Sequence, residues 1–286
     1  MEQAAFSAVH FIGTGRATVA YRKVGDGPAV VFLHGFPLSG LTWRKVAPTL
    51  SGRFTCYAFD LVGLGGTTSQ LPADFASPGQ AGVLRQALSM LGVPEFALVG
   101  NDTGGWIARE LALLEPEKVT CLALTNTEIP GHRPPWIPTY QRLVRLPGSK
   151  LMIRRLLASR RIRRSAIGFG GCFRDRDVID GEFTEEFVSP LISSEQRLAG
   201  MFRFLTEMRF DRIDQFRDLH GKLSMPTAFL WGEDDPTFPV EEARAMAAQF
   251  PNVTGFEALP GAKLFLQEEY PDAVAGWLTE FLARRG

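Results

Sequence analysis

The chain has 286 residues, 45% of them hydrophobic and 22% charged, which is long enough for a sizeable core and unlike a disordered or fibrous chain. Lys plus Arg number 31 and Asp plus Glu number 31, a formal net charge of +0, which argues against nucleic acid as a partner because phosphate binding needs a basic excess. No apolar run approaches the ~18 residues of a membrane span.

In chain order, Ala29–His34 (AVVFLH) reads as a buried strand and Thr55–Asp60 (TCYAFD) as a second. Phe96–Gly100 and Val119–Thr125 follow as a third and fourth. Gln80–Leu91 and Trp106–Leu114 space their apolar residues as helices do. Strands alternating with helices predict a mostly parallel, doubly wound sheet covered on both faces. The alternation breaks near Glu128. From Ile129 to about Lys222 the segment carries prolines and amphipathic stretches, Lys150–Arg164 and Gln196–Arg212, and reads as helical. The sheet pattern resumes with Thr227–Gly232, a helix over Val240–Gln249, a strand over Val253–Ala258 and a helix over Pro271–Ala283. The expected organisation is an α/β core at 1–128 and 223–286, with a helical cap at 129–222 inserted after the sixth strand. The arginines at 154, 155, 160, 161, 163 and 164 read as a solvated helix face, since acids follow between Asp175 and Glu186.

Gly100-Asn101-Asp102-Thr103-Gly104-Gly105 is the most informative segment. It follows a strand and opens a helix, in the form G-x-D-x-G of a nucleophile elbow with Asp at the centre. A sharp, strained turn lifts such a residue above the sheet edge, and small neighbours leave it room. At a helix N-terminus an Asp is expected to stay ionised, able to attack an electrophilic carbon and form an ester. The competing reading is an Asp that only caps the helix. His34-Gly35-Phe36-Pro37 can offer the Phe36 N–H, with that of Thr103, as an oxyanion hole. His34 itself is expected to be structural. Trp231-Gly232-Glu233-Asp234-Asp235-Pro236 ends a strand, and Asp235 there is placed to orient a base.

These motifs, with the Asp60-x-x-Gly-x-Gly loop, resemble the α/β-hydrolase family from about Gly13 to Leu282. The Asp at the elbow resembles the branch of epoxide hydrolases and of haloalkane and fluoroacetate dehalogenases. The resemblance implies two steps. Asp102 would attack an epoxide or halogen-bearing carbon, and a His oriented by Asp235 would then activate water to hydrolyse the ester. The stretch that carries this His in the family reads Gly261-Ala262-Lys263-Leu264-Phe265-Leu266-Gln267-Glu268 here, with Lys263 at the His position. Thr103 stands where the branch carries Trp or Arg, and the Asp60-Leu61-Val62-Gly63 loop lacks the family's Arg. In the expected cap, Trp136 and Tyr140 would share one helical face, Tyr140 being its one tyrosine.

Four readings of Lys263 stand open. It would form an ion triad with Asp102 and Asp235. It would be desolvated and act as a base or Schiff-base former. It would replace a native His in a variant made to trap the ester. Or catalysis is lost and the chain binds a ligand. His132 is a candidate substitute base, and Glu128 a candidate to share the role of Asp235; otherwise His132 sits at the rim and Glu128 in solvent.

The resulting expectation is a hydrolase acting on a small, largely apolar molecule. The alternatives are a lyase or isomerase on the same fold, or a ligand-binding homologue. No metal or organic cofactor motif is present. The expected partner is a small-molecule substrate, without nucleic acid or membrane, for a monomer or homodimer. The N-terminus lacks a basic-then-apolar leader, and Cys56, Cys121 and Cys172 are too few and scattered for a disulfide scaffold or zinc site, so a cytoplasmic location is expected.

Overall fold

The computed structural model describes residues 6–284. Nine strands form one sheet: β1 (His10–Gly13), β2 (Ala17–Val24), β3 (Ala29–Leu33), β4 (Thr55–Phe59), β5 (Thr68–Ser69), β6 (Phe96–Asn101), β7 (Val119–Thr125), β8 (Thr227–Gly232) and β9 (Val253–Leu259). The order is β1-β2-β4-β3-β6-β7-β8-β9, with β5 on β2. From β4 across to β9 every pairing is parallel, and the pairings of β2 are antiparallel. This is the expected mostly parallel α/β-hydrolase sheet.

Alternation along the central strands sorts their side chains to two faces. Val31 and Leu33 of β3 join Leu98 of β6 in one core, while Val30 and Phe32 join Val99 in the other. The helices Ser77–Met90 and Thr103–Leu114 cover the first face. Trp43 and the C-terminal helix Pro271–Ala283, through Trp277 and Phe281, cover the second.

Between β7 and β8 every element is helical. This insertion follows the seventh strand, not the sixth, because the two-residue β5 adds one that no run of apolar residues announces. Its helices are shorter than their amphipathic stretches predict. Lys150–Arg164 breaks at Ser159 into Ser149–Ala158 and Arg160–Arg163, and Gln196–Arg212 breaks at Met208 and Arg209 after Glu195–Glu207. Ser159, Met208 and Arg209 are extended, which ends an i→i−4 ladder whatever the side-chain spacing. Phe169, Phe173, Phe183 and Leu198 of the insertion share a core with Leu61, Val62 and Leu64 of the sheet loops. Several of the insertion's basic side chains pair with its own acids: Lys150 and Arg154 with Glu195, and Arg164 with Asp177 and Asp180. Among the described residues no helix is long and apolar enough to cross a membrane.

Candidate active site

Asp102 sits between β6 and the helix Thr103–Leu114 with φ 51° and ψ −134°, a conformation costly for a residue with a Cβ. Close packing imposes it. A Cβ on Gly104 would lie 2.4 Å from the Leu33 carbonyl oxygen, so only glycine lets the helix start against β3. The Asp102 side chain does not cap its helix. Its Oδ2 accepts a hydrogen bond from the Phe36 N–H at 2.8 Å instead. Gly35 leaves the space for this, since a Cβ there would come within 2.6 Å of that carboxylate oxygen.

Asp102, Phe36, Thr103 and Glu128 line a cavity of about 470 Å³ between the sheet edge and the insertion. The walls are otherwise mainly apolar and include Trp136, Tyr140, Met201, Leu205 and Phe265. Trp136 and Tyr140 thus do face one cavity. The Tyr140 hydroxyl donates to the Ile167 carbonyl, and burial raises its pKa to about 12. The Thr103 hydroxyl is buried and has no hydrogen-bond partner among the described residues.

Asp102 departs from the expectation that it stays ionised. Burial pushes its carboxyl well above the usual carboxylate range, repulsion from Glu128 and Asp235 adds to this, and the Phe36 and Thr103 N–H groups only oppose it. Asp235 is raised to about 6 by burial, against bonds from Asn126 and Thr237. Its Oδ2 accepts from Asn126 at 2.7 Å and its Oδ1 from the Thr237 N–H at 2.8 Å.

Glu128 is buried at 4% exposure, not a loop residue in solvent. Burial raises its pKa, and Arg109 and Thr127 oppose the rise. Thr127 Oγ1 lies 2.8 Å from the Asp102 carbonyl oxygen and 2.9 Å from Glu128 Oε2. Arg109, fully buried, donates to the Glu128 carbonyl at 2.7 Å and to Thr127 Oγ1 at 3.3 Å. Sequence reasoning missed Arg109, Asn126 and Thr127. The available signals were a charged pair, Arg109-Glu110, inside an otherwise apolar helix and a run of polar residues, Thr125–Glu128, ending a buried strand.

Lys263 does not form the expected triad. Among the described residues it makes no hydrogen bond or ion pair, and it does not line the cavity, although Leu264 and Phe265 do. Its charge is felt at Cys172 and Glu269. None of the four histidines lines the cavity. His132 is held with Nε2 2.7 Å from the Thr237 carbonyl and Nδ1 3.0 Å from Glu242. His220 is buried between Arg109 and Gln249, and burial lowers its pKa to about 3. His34 is buried as a structural residue, accepting from the Leu61 N–H at 2.9 Å. His10 lies on the edge strand β1. Among the described residues no group of His, Cys, Asp and Glu is arranged to hold a metal ion.

Comparison with known proteins bears on this site. A family model described as alpha/beta hydrolase fold matches residues 28–161. A fluoroacetate dehalogenase of Burkholderia sp is 33% identical over 133 residues, covering 45% of this chain and 41% of that protein. Haloalkane dehalogenase 2 of Mycobacterium tuberculosis is 27% identical over 270 residues, covering 93% of this chain and 91% of its own. The structure of the epoxide hydrolase CorEH superposes with a TM-score of 0.78 at 23% identity, covering 97% of this chain and 99% of that one. The chain therefore has the α/β-hydrolase fold, with dehalogenases and epoxide hydrolases among the proteins similar to it.

Proposed function

We propose that this protein is a hydrolase in which Asp102 attacks an electrophilic carbon, of an epoxide or a carbon–halogen bond, in a small and largely apolar substrate. The observation that carries the reading is the Asp102 carboxylate at the elbow, opening onto a mainly apolar cavity with one oxygen held by the Phe36 N–H. Attack from the ionised carboxylate leaves an ester on Asp102. The Phe36 and Thr103 N–H groups then face the carbonyl oxygen that becomes negative when water adds. The segment 129–222 acts as a cap over the core at 1–128 and 223–286 and supplies the apolar walls that fit such a substrate. Asp235 is a positioning residue in this reading, and Lys263 stands outside the chemistry.

A second reading is favoured by one observation. Two buried carboxyl groups at the cavity, Asp102 and Glu128, have raised pKa values and no histidine lines it, which suits an acid that moves protons, as a lyase or isomerase needs. Intact-protein mass spectrometry with panels of epoxides and haloalkanes separates the two. A mass gain mapped to Asp102, or diol or halide release, supports the hydrolase. No adduct and no product with any member of either panel overturns it.

A further inference from the structure

Between Glu128 and Asp175 the insertion carries eleven Lys and Arg and no Asp or Glu. Acids from other segments neutralise Arg133, Lys150, Arg154, Arg160 and Arg164. Four arginines have no such partner. Arg142, Arg145, Arg155 and Arg161 are exposed, and among the described residues their side chains make no hydrogen bond or ion pair. Exposed apolar side chains lie among them in the chain. Leu146, next to Arg145, is 55% exposed, and Leu151 is 54% exposed. On the helix Ser149–Ala158, Leu151, Arg155 and Ala158 recur at i, i+4 and i+7 and face solvent. Ile153, Leu156 and Leu157, on the opposite side of that helix, line the cavity. The rim of the cavity belongs to the same segment. Trp136 and Ile167 both line it and are each 41% exposed. Tyr140, one turn after Trp136, is bonded to the Ile167 carbonyl and ties the two together.

From this arrangement we propose that the segment 136–167 docks on an anionic lipid surface, with its unpaired arginines at the headgroups and Trp136, Leu146 and Leu151 in the upper acyl layer. The mouth of the cavity then opens toward the bilayer. Single exposed apolar side chains are ordinary. A set interleaved with unpaired arginines matches a partner that is negatively charged at its surface and apolar just beneath, which is an anionic bilayer. Nucleic acid would satisfy the arginines but leave Leu146 and Leu151 against phosphate.

The expectation of no membrane partner came from the net charge of +0 and the lack of a spanning helix, which describe the whole chain and not one face. The acids that balance these arginines lie in other segments. Peripheral docking needs only a local basic excess and a few apolar side chains that reach past the headgroups. Entry of a lipophilic substrate from the bilayer toward Asp102 follows where the hydrolase reading holds. The docking itself does not depend on that reading.

The test is flotation of the full chain with vesicles of phosphatidylcholine, with and without about one-third phosphatidylserine, and it uses no substrate. Binding is expected with the anionic vesicles and is expected to fall as salt is raised. Each basic side chain at such a surface strengthens binding about fivefold, so Arg142→Gln, Arg145→Gln, Arg155→Gln and Arg161→Gln together should weaken it about 100-fold or more. The same charge removed from exposed positions of the core, by Lys23→Gln, Arg53→Gln, Arg85→Gln and Lys222→Gln, should change it less than about fivefold. Trp43, Trp106, Trp231 and Trp277 are buried, so quenching by brominated phosphatidylcholine reports on Trp136 and should vanish in Trp136→Phe. No flotation with anionic vesicles, equal flotation without phosphatidylserine, or equal losses in the two quadruple variants overturns the docking. Flotation without bromolipid quenching overturns the placement of the cavity mouth. Tighter binding of polyuridylate than of anionic vesicles, lost in the same arginine variant, replaces lipid by RNA. Each of these results leaves Asp102 as nucleophile untouched.

Discussion

Asn126 binds the end of β8 twice: its Nδ2 donates to Asp235 Oδ2 at 2.7 Å, and its Oδ1 accepts from the Gly232 N–H at 2.9 Å. Asn126 has φ 32°, in the left-handed region that Asn tolerates better than most residues. Asn126→Leu is therefore expected to strand a buried carboxyl and a buried N–H. The cost is about 2–5 kcal/mol, read as a lower urea midpoint.

Buried titratable groups pull the pH dependence of stability in opposite directions. Asp235 moves from 3.8 to about 6 on folding, and Asp102 and Glu128 move in the same direction. A raised value means that the folded state holds the proton more tightly, so this stability is full below pH ~4 and is lost as pH rises through 6. Glu182 moves the other way, to about 2, through its bonds with Arg44, and that contribution is lost as pH falls. The buried His34 and His220 also oppose the acids, since burial lowers them to about 4 and about 3 and their contribution is lost as pH falls below 6.5. Urea titrations of wild type and Asp235→Asn isolate the acid: the stability of wild type relative to the variant is expected to fall by about 3 kcal/mol from pH 4 to pH 8, and a constant difference contradicts the burial of Asp235 as a neutral group.

Two glycines next to the elbow should fail differently. A Cβ on Gly35 meets the Asp102 carboxylate at 2.6 Å, whereas one on Gly104 meets backbone at 2.4 Å. Gly35→Ala should displace the side chain and slow Asp102 alkylation about 10–100-fold in a folded protein. Gly104→Ala should cost about 1–3 kcal/mol or more of stability, since backbone cannot step aside. Thermal melts beside single-turnover alkylation distinguish the two.

Lys263→Ala should leave alkylation of Asp102 within about twofold of wild type, because the side chain has no bonded partner among the described residues and is outside the cavity wall. A loss of tenfold or more in the same mass-spectrometric assay would bring the lysine into the chemistry.

Tyr140→Phe removes the bond to the Ile167 carbonyl within the insertion. The expected effect is a loss of about 1 kcal/mol in stability with an unchanged pH profile for epoxide opening. A changed profile would make Tyr140 a proton donor.

What the sequence determined by itself was local. Thr227–Gly232 and Pro271–Ala283 are read to the residue, because an apolar run bounded by Gly and a helix opened by Pro carry their own limits. The elbow was equally legible, since its glycines are demanded by contacts with the strands that adjoin it. The tertiary structure alone decided where side chains point and what surrounds them. Lys263, which the resemblance sets at the position of a base, does not line the cavity, and Glu128, at the start of an insertion, is buried beside Asp102. Motif spacing locates a Cα along the chain, whereas the charge on a carboxyl depends on burial and neighbours from distant segments. For Asp102 those neighbours are Phe36, Glu128 and Asp235, brought together only when the strands of one sheet end at a common edge.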